Sequence, residues 1–181
     1  MIDDLLVVVD KQDKVLGYDT KSNCHKNDAK LHRAFSVFIF NRGGELLVQK
    51  RSEKKLLWPL YWSNSCCSHP RQDEPYVEAA ERRLTEELGF TTKLSYIYKF
   101  IYEASFKDVG KESELCAVLI GETDKKIHEI KSDPYEVADF KYVNIRELSK
   151  NMKRYPERYT PWFKMEFSKL LEMDIIKLDE H

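Results

Sequence analysis

Short apolar runs separated by polar breaks dominate the N-terminal part of the chain. The segments LLVVVD and VLGYDT flank the polar KQDK and predict two strands joined by a turn over residues 5–20. The runs AFSVFIF at 34–40 and LLVQKR at 46–51 repeat this pattern around NRGGE, where Gly43 and Gly44 can adopt a positive φ. The pattern therefore predicts two successive β-hairpins.

The spacing of the apolar residues changes at Pro75, where a helix is predicted to begin and to extend to Leu88. Proline is tolerated in the first turn of a helix, strong helix formers fill the body of the segment, and Gly89 supplies a stop. One stripe of this helix is expected to be apolar: Val77, Ala80, Leu84 and Leu88.

Long alternating segments return in the second half of the chain. Residues 93–106 and 112–122 are rich in aromatic and β-branched side chains, which predicts two neighbouring strands joined across KDVGK. A strand at 139–144 and helices at 144–154 and 160–173 follow. This order predicts the α/β (α+β) class, in which helices cover a mixed β-sheet and no regular βαβ winding occurs.

Composition bounds the domain organisation and the partners of the chain. The 181 residues contain no repeat or low-complexity linker, so one domain over residues 1–181 is expected. The formal net charge is −1 and 34% of the residues are charged, which argues against a strongly basic nucleic-acid binder. No nucleic-acid partner is therefore expected.

The N-terminus and the cysteines indicate the compartment. The start, MIDDLLVVVDKQ, is acidic and holds an apolar run of only five residues, which argues against a signal peptide or a membrane span. Four cysteines are few for this length, and the adjacent Cys66 and Cys67 are poorly placed to pair with each other. Reduced thiols, a cytoplasmic location and no membrane partner are expected.

Two glutamates share one face of a predicted strand. Side chains alternate along a strand, so Glu112, Glu114 and Cys116 point to one side in the segment ESELCA. Neighbouring carboxylates repel each other, and each raises the pKa of the other unless a cation lies between them. The strand face either lines a polar cavity or meets water as two solvated glutamates, and both interpretations stay open at this point.

Three histidines extend this candidate set. His25, His32 and His69 all lie in the first part of the chain, each in or beside a predicted loop or strand end. Three imidazoles and two carboxylates form a nitrogen and oxygen donor set that suits Mn²⁺, Mg²⁺ or Zn²⁺ better than a structural thiolate zinc site. Their spacing is not that of a zinc finger, and isolated core or surface histidines remain the alternative.

The segment YWSNSCCSHP places two cysteines beside a histidine. In an extended segment Cys67 and His69 point to the same side, with Cys66 on the other. A thiol beside a histidine is expected to have its pKa drawn toward neutrality, which suits an acid, a base or a nucleophile. The alternatives are two small buried hydrophobic residues, or zinc binding by both cysteines, which is strained for adjacent residues.

The helix after this segment resembles the Nudix signature, G-x5-E-x7-R-E-U-x-E-E-x-G-U, where U is a bulky apolar residue. Two positions depart from it, because Ser68 replaces the first glycine and Arg83 replaces a glutamate. In Nudix hydrolases the helix gathers glutamates around Mg²⁺ to activate water against a diphosphate, so Arg83 argues against hydrolysis. The matching residues are Glu74, Arg82, Leu84, Glu86, Glu87, Gly89 and Phe90.

Taken with NSCCSHP and CHKNDAKLHRAFSVFIFN, this helix is similar to that of the type I isopentenyl-diphosphate isomerases. The resemblance extends from Lys21 to Phe163 and implies a Nudix-like mixed β-sheet sandwiched by helices. It also implies a reaction without hydrolysis. The C3–C4 double bond of isopentenyl diphosphate is protonated, and loss of a C2 proton then gives dimethylallyl diphosphate.

The same resemblance assigns roles to residues. It implies a catalytic cysteine at Cys67, a catalytic glutamate at Glu114 with Tyr102 assisting it, and an active-site aromatic at Trp162. A second ion, the diphosphate-bound Mg²⁺, is implied at Glu87. The implied diphosphate contacts are Lys21, Arg51, Lys55 and Arg83, and the implied ligands of Mn²⁺, Mg²⁺ or Zn²⁺ are His25, His32, His69, Glu112 and Glu114.

Two rival functions stay open at this point. One is a Nudix hydrolase of a nucleoside diphosphate derivative, and the other is a non-catalytic metal- or RNA-binding Nudix-like module. The favoured interpretation expects a small-molecule diphosphate as the substrate and a monomer or weak dimer. Neither the ion at the histidines nor the order in which Cys67 and Glu114 transfer protons follows from the sequence.

Overall fold

The computed structural model of the protein describes residues 4–26 and 28–178. None of the helices in that part of the chain is long and apolar enough to span a membrane. The strands are β1 (Leu5–Val9), β2 (Val15–Thr20), β3 (His32–Asn41), β4 (Leu46–Arg51), β5 (Trp62–Ser63), β6 (Cys66–Ser68), β7 (Leu94–Phe106), β8 (Gly110–Thr123) and β9 (Val137–Val143). The α-helices are α1 (Lys21–Cys24), α2 (Tyr76–Leu88), α3 (Ile145–Arg154) and α4 (Pro161–Glu172), with 3-10 turns at Ile127–Glu129 and Pro156–Arg158.

The three hairpins predicted from alternation are confirmed. β1 pairs with β2, β3 with β4 and β7 with β8, each in the antiparallel sense. The predicted helix is confirmed as α2, with Pro75 as its N-cap residue and not its first turn. The sequence did not predict α1, β5 or β6, because elements of two to four residues are too short to show a period.

The sheet is mixed, with β3 at its centre. β3 pairs antiparallel with β4 and β6 and parallel with β8, and the parallel pairing runs from His32↔Glu114 to Asn41↔Thr123. β9 and β5 extend the sheet beside β4, and β7 extends it beside β8. β3 therefore joins a strand from each half of the chain.

Alternation along β3 divides the core between two faces of the sheet. Phe35, Val37 and Ile39 pack with the buried residues of α2, whereas Ala34 and Phe38 pack with the buried residues of α3 and α4. Burying a side chain such as Phe or Ile stabilises the fold by about 1.5–3 kcal/mol. Helices thus cover both faces of a mixed sheet, and the predicted fold class is confirmed.

Helix α2 ends at Gly89, which lies in the left-handed region with φ of 71°. A Cβ atom at this position would lie 2.7 Å from the carbonyl oxygen of Lys131. The amide of Lys131 donates to the carbonyl of Leu88, and the amide of Asp133 donates to the carbonyl of Glu87. The segment that leads into β9 is therefore hydrogen-bonded to the end of α2. Gly89 allows this close approach because it has no Cβ atom.

We expect Gly89→Ala to destabilise the protein more than Gly44→Ala. Both residues have a positive φ, a conformation that costs an L-residue about 1–2 kcal/mol of folding free energy. Gly44 has open space around its Cβ position. At Gly89 the Lys131 backbone must also move. Urea unfolding of both variants measures the difference, and equal losses would contradict the role given to the contact with Lys131.

Candidate active site

A row of three side chains crosses the sheet at the start of β3. His32 lies opposite Glu114 in the parallel pairing, and Tyr102 lies opposite Glu114 in the antiparallel pairing. Paired residues point to the same face of a sheet, so the three side chains converge. The hydroxyl of Tyr102 donates a hydrogen bond of 2.6 Å to Oε2 of Glu114.

Two loops and the same strand add three more residues to this row. Glu112 precedes Glu114 by two positions on β8, and His69 follows directly after β6. His25 caps α1, and its carbonyl accepts a hydrogen bond of 3.0 Å from the amide of Lys111, which ties α1 to β8. Without Tyr102, these residues form a cluster in which one nitrogen or oxygen atom of each lies within 4.8 Å of those of the others: His25, His32, His69, Glu112 and Glu114.

The hydrogen bonds of this cluster leave its ring nitrogens ready to bind a cation. Nδ1 of His25 lies 2.7 Å from the carbonyl oxygen of Lys21, and Nδ1 of His32 lies 2.8 Å from that of Lys30. A carbonyl only accepts, so each Nδ1 carries the hydrogen and each Nε2 keeps a lone pair. Burial and the neighbouring His32 lower the pKa of His69 well below its usual value, which keeps His69 neutral.

The carboxylate of Glu112 gives a direct test of whether the cluster fits a metal ion. Its Oε2 lies 2.7 Å from Nε2 of His25, yet within the described residues both buried atoms have no hydrogen-bond partner. Buried polar atoms are normally paired. A carboxylate oxygen and an imidazole nitrogen that face each other in a buried cluster can be bridged by a cation, so this cluster could hold a divalent metal ion.

Cys67 lies on β6 opposite Ser36 of β3, on the face of the sheet that packs with α3 and α4. Its nearest polar neighbours are the hydroxyl oxygen of Ser63, at 3.7 Å from Sγ, and Nη1 of Arg51, at 4.0 Å. Burial raises the pKa of Cys67 to about 11, although the charge of Arg51 acts in the opposite direction. The expectation that this pKa moves toward neutrality is therefore wrong, because loss of solvent outweighs the nearby positive charge.

The other cysteine of the pair has a different environment. Cys66 is fully buried under α2, whereas Cys67 packs against the core on the opposite face of the sheet. The two thiols thus point away from each other, as alternation along a strand requires. One zinc ion cannot bind both, and the structural alternative of a buried apolar cysteine holds for Cys66 alone.

Trp162 contacts one neighbour of Cys67 and one neighbour of Glu114. Its indole N–H donates a hydrogen bond of 3.2 Å to Oγ of Ser63, the hydroxyl that also contacts Cys67. Its ring lies 6.1 Å from the ring of Tyr102, which is bonded to Glu114. Trp162 is in the first turn of α4 and is almost fully buried, so its orientation is fixed.

The sequence did not identify Ser63 or Trp58 as parts of this pocket. Ser63 contacts Trp162 and Cys67 and is fully buried, and the polar run SNS between aromatic residues and CC was the available signal. The indole of Trp58 packs edge-on against Trp162 at 5.2 Å, from a backbone with φ of 47°. A left-handed conformation is strained for a bulky residue, and such strain occurs at functional sites.

Arg51 is fastened to the loop that carries Trp58. Its Nε donates to the carbonyl of Trp58 at 3.1 Å, and its Nη2 donates to the carbonyl of Leu57 at 2.9 Å. Its guanidinium also lies 5.2 Å from the ring centre of Trp162. Arg51 therefore lies close to Trp58, Trp162 and Cys67.

The other cations of the site gather on the side of α2. Lys21 and Arg83 line a small cavity of about 70 Å³, together with His69 and Glu136. Burial and the charge of Lys55 lower the pKa of Lys21, which shows that the positive charges lie close together. A concentration of cations beside a cavity suits an anionic ligand.

Arg83, which departs from the signature, is surrounded by carboxylates. Its Nη2 donates to Oε1 of Glu87 at 2.6 Å and to Oε1 of Glu136 at 2.9 Å, and its Nη1 donates to Glu86 at 2.7 Å. Glu87 also accepts from Nε2 of Gln49. Arg83 and Glu87 are four positions apart and therefore adjacent on α2, whereas Glu136, which the sequence did not identify, lies in an irregular segment 53 positions from Arg83 along the chain.

Helix α4 carries a further buried carboxyl group. Glu166 follows Trp162 by one turn of α4 and is fully buried, and its Oε1 lies 3.5 Å from Sγ of Cys116. No ion pair joins it to a cation in the part of the chain that the structure describes, and its Oε2 has no partner there. Burial raises the pKa of Glu166 to about 8.

Comparison with known proteins gives consistent results. The NUDIX domain model matches residues 30–163. Isopentenyl-diphosphate Delta-isomerase 1 of Photorhabdus laumondii is 43% identical over 175 residues, which cover 96% of this chain and 98% of that protein. The isopentenyl-diphosphate Delta-isomerase of Halorhodospira halophila is 41% identical over 162 residues, which cover 88% of this chain and 90% of that protein.

Solved structures agree on the fold. The crystal structure of DR0079 from Deinococcus radiodurans superposes with a TM-score of 0.68 at 20% identity, covering 83% of this chain and 90% of that chain. The MutT protein from Methanosarcina mazei gives a TM-score of 0.63 at 19% identity, covering 81% of this chain and 96% of that chain. At these identities the likeness shows the fold alone.

We expect Glu166→Gln to flatten the pH dependence of stability. The folded protein keeps the Glu166 proton up to about pH 8, whereas the ordinary pKa is 4.5, so the unfolded chain releases it first. Stability then falls between these two pH values as pH rises, by up to about 1.4 kcal/mol per pH unit. The variant cannot titrate and loses this fall.

Urea unfolding at pH 5 and pH 8 measures the effect. The exposed residue Glu172, on the same helix, supplies the control, and Glu172→Gln should keep the wild-type dependence. Equal pH dependence in wild type and Glu166→Gln would contradict the raised pKa.

Proposed function

The chain belongs to the isopentenyl-diphosphate Delta-isomerase family of the NUDIX-domain proteins, and we propose that the pocket around Glu114 and Cys67 is its catalytic site. The protein is an isomerase that converts isopentenyl diphosphate into dimethylallyl diphosphate by moving a carbon–carbon double bond. The observation that carries the site assignment is the arrangement in which Trp162 is linked through Ser63 to Cys67 and packs against Tyr102, which is bonded to Glu114.

The reaction requires an acid and a base on different sides of the substrate. Protonation of the C3–C4 double bond creates a tertiary carbocation, and removal of a proton from C2 completes the move of the double bond. We assign these two roles to Cys67 and Glu114, which lie on strands on opposite sides of β3. Burial raises the pKa of Cys67 to about 11, so it rests as a thiol that can donate its proton.

Tyr102 assists Glu114 in this assignment. Burial and the two neighbouring glutamates raise the pKa of Tyr102 well above its ordinary value, so its hydroxyl keeps its proton. That hydroxyl donates to Oε2 of Glu114, which orients the carboxylate and offers a partner for proton exchange. Glu114 can thus handle a proton at one oxygen while its Oε1 faces His69 at 3.1 Å.

The aromatic wall protects and stabilises the cation. The faces of indole rings carry negative electrostatic potential, so Trp162 is worth about 0.5–2 kcal/mol to a positive charge beside it, depending on desolvation. Trp58 packs edge-on against Trp162 and closes the same wall. Both are nearly fully buried, which excludes water that would otherwise trap the carbocation.

The diphosphate anchors the substrate away from the reacting carbons. We assign its binding to the cations that face the pocket, whose binding energy is used to orient the alkene between the acid and the base. Glu87 would share an Mg²⁺ with the diphosphate through Oε2, since its Oε1 is paired with Arg83. The assigned cations are Lys21, Arg51, Lys55 and Arg83.

The cluster of three histidines and two glutamates would hold a second divalent ion, which we propose to be Mn²⁺, Mg²⁺ or Zn²⁺. His25, His32 and Glu112 supply ligands that take no part in proton transfer, whereas Glu114 belongs to both groups. A bound cation offsets the cost of burying two carboxylates side by side. The backbone carbonyls of Lys21 and Lys30 accept from Nδ1 of His25 and His32, which leaves Nε2 of each ring to bind the ion.

The rival hydrolase has less support from the geometry. Hydrolysis in this superfamily needs several glutamates of the signature helix free to bind metal together, but Glu74 and Glu86 are paired with Arg82, and one oxygen of Glu87 is paired with Arg83. The formal net charge of −1 argues against a strongly basic RNA-binding module. We further propose that residues 1–181 act as one cytoplasmic domain, as a monomer or weak dimer, on a small-molecule diphosphate.

We expect the purified protein with isopentenyl diphosphate and Mg²⁺ in D₂O to form deuterium-labelled dimethylallyl diphosphate, detected by NMR. Cys67→Ala and Glu114→Gln should each lower kcat by about 10²- to 10⁴-fold, because each removes one proton-transfer group. Substrate affinity should change little. Cys66→Ala is the matched control and should keep wild-type turnover, since this thiol lies on the other face of the sheet.

Full turnover in both Cys67→Ala and Glu114→Gln would overturn the site assignment. Absence of product and label from the wild type, with metal supplied, would overturn the activity itself. Release of phosphate or nucleotide from a panel of nucleoside diphosphate derivatives would instead support the hydrolase.

We expect metal-stripped protein to regain activity when a divalent ion is added, with about one ion retained per chain by the histidine cluster after desalting. His32→Ala should lose that ion, and His128→Ala, an exposed histidine outside the cluster, should keep it. Retention should weaken as pH falls, because protons compete for the nitrogens. Elemental analysis of desalted protein measures the ion, and equal retention by the two variants would contradict the site.

A further inference from the structure

Glu136 joins two of the cations assigned to the diphosphate. It lies one residue before β9, where its Oε1 accepts from Nη2 of Arg83 at 2.9 Å and its Oε2 pairs with Nζ of Lys55. Arg83 belongs to α2 and Lys55 to the loop after β4. One carboxylate thus connects cations that come from two separate elements.

The backbone of Glu136 is held from both sides. Its carbonyl accepts a hydrogen bond of 3.0 Å from the amide of Ser52, next to β4. Its amide donates to the carbonyl of Asp133, whose own amide donates to the carbonyl of Glu87 at the end of α2. The carboxylate therefore has a fixed position relative to both elements, whereas Lys and Arg side chains are long and flexible.

Several cationic side chains surround the carboxylate of Glu136. Lys21, Arg83 and Glu136 line the same small cavity, and Arg51 and Lys55 lie close enough to lower the pKa of Lys21. Burial opposes ionisation of Glu136, but Lys55 and Arg83 lower its pKa to about 2. Glu136 is therefore a permanent negative charge that reduces repulsion among the cations.

The bridge leaves donors free for a ligand. A lysine ammonium has three hydrogens, of which Glu136 takes one from Lys55. Nε of Arg83 is buried and has no hydrogen-bond partner within the described residues. Lys55 is thus held by Glu136 through one hydrogen and keeps others for an incoming anion, and Arg83 keeps one unpaired N–H.

From this geometry we infer that Glu136 is a positioning residue of the proposed diphosphate site, which sets the affinity for the diphosphate by holding Lys55 and Arg83 in their binding orientation. The inference rests on the function proposed above and adds a residue to it. Groups that are already ordered lose less freedom when the ligand binds, so affinity rises without any contact between Glu136 and the ligand.

Glu136→Gln tests the inference through a KM and kcat split. The amide keeps the size of the side chain but loses the charge, so the affinity for diphosphate should fall. We expect KM for isopentenyl diphosphate to rise about tenfold, the change that one charge-assisted hydrogen bond produces. The value of kcat should stay within about threefold, because the acid and the base are untouched.

Glu86→Gln is the matched control. Glu86 also accepts a hydrogen bond from Arg83, on the same helix, but it is exposed and makes no contact with Lys55. This variant should keep the wild-type KM. Glu136→Asp retains the charge on a shorter side chain and should recover part of the lost affinity, a rescue that a purely structural role would not give.

Calorimetry with inorganic pyrophosphate and Mg²⁺ separates this inference from the proposed reaction. Pyrophosphate binding needs no turnover, so weaker binding by Glu136→Gln than by Glu86→Gln would support the inference even if the wild type did not isomerise. Thermal melting of each variant confirms that binding is measured on folded protein.

Three outcomes would overturn the inference. An unchanged KM with reduced stability would make Glu136 a structural residue only. A lower KM would mean that Glu136 competes with the diphosphate for Lys55 and Arg83. A fall in kcat at constant KM would place its effect in the chemical step.

Discussion

The parallel pairing of β3 with β8 is the constraint on which the site depends. It places His32 beside Glu114, and the antiparallel pairing of β8 with β7 then places Tyr102 on the other side of the same carboxylate. β6 pairs with β3 and brings Cys67 to the same central strand. A shift of one residue in the parallel register would turn Glu112 and Glu114 toward α2 and would disperse the cluster.

Two groups of carboxylates in this protein lie beside basic side chains, one on the signature helix and one on β8. The pairing on the helix distinguishes this site from that of a hydrolase. The glutamates of the signature helix are paired with Arg82 and Arg83, which leaves fewer carboxylate oxygens free for metal ions than a hydrolase needs. The carboxylates of β8 lie beside the imidazoles of three histidines, so that surface suits a cation. Uncompensated burial of either set would be strongly unfavourable, so each set needs its partners in place.

Local patterns were sufficient wherever a feature depends on near neighbours in the chain. Alternation predicted the long strands, and the spacing of apolar residues after Pro75 predicted α2. Elements without a period, such as β6, were not predicted as structure. The pKa of Cys67 was predicted in the wrong direction, because the sequence shows its neighbour His69 but not the depth of its burial.

The sequence by itself determined the fold class, the residue types available for the chemistry, and their phase on each strand, since these follow from periods of two and 3.6 residues. Only the tertiary structure decided which of these residues meet. The approach of Glu136 to Lys55 and Arg83, and of Ser63 to Trp162, depends on pairings between distant segments. Such pairings are set by the packing of the whole sheet between its helices, and no local pattern records them.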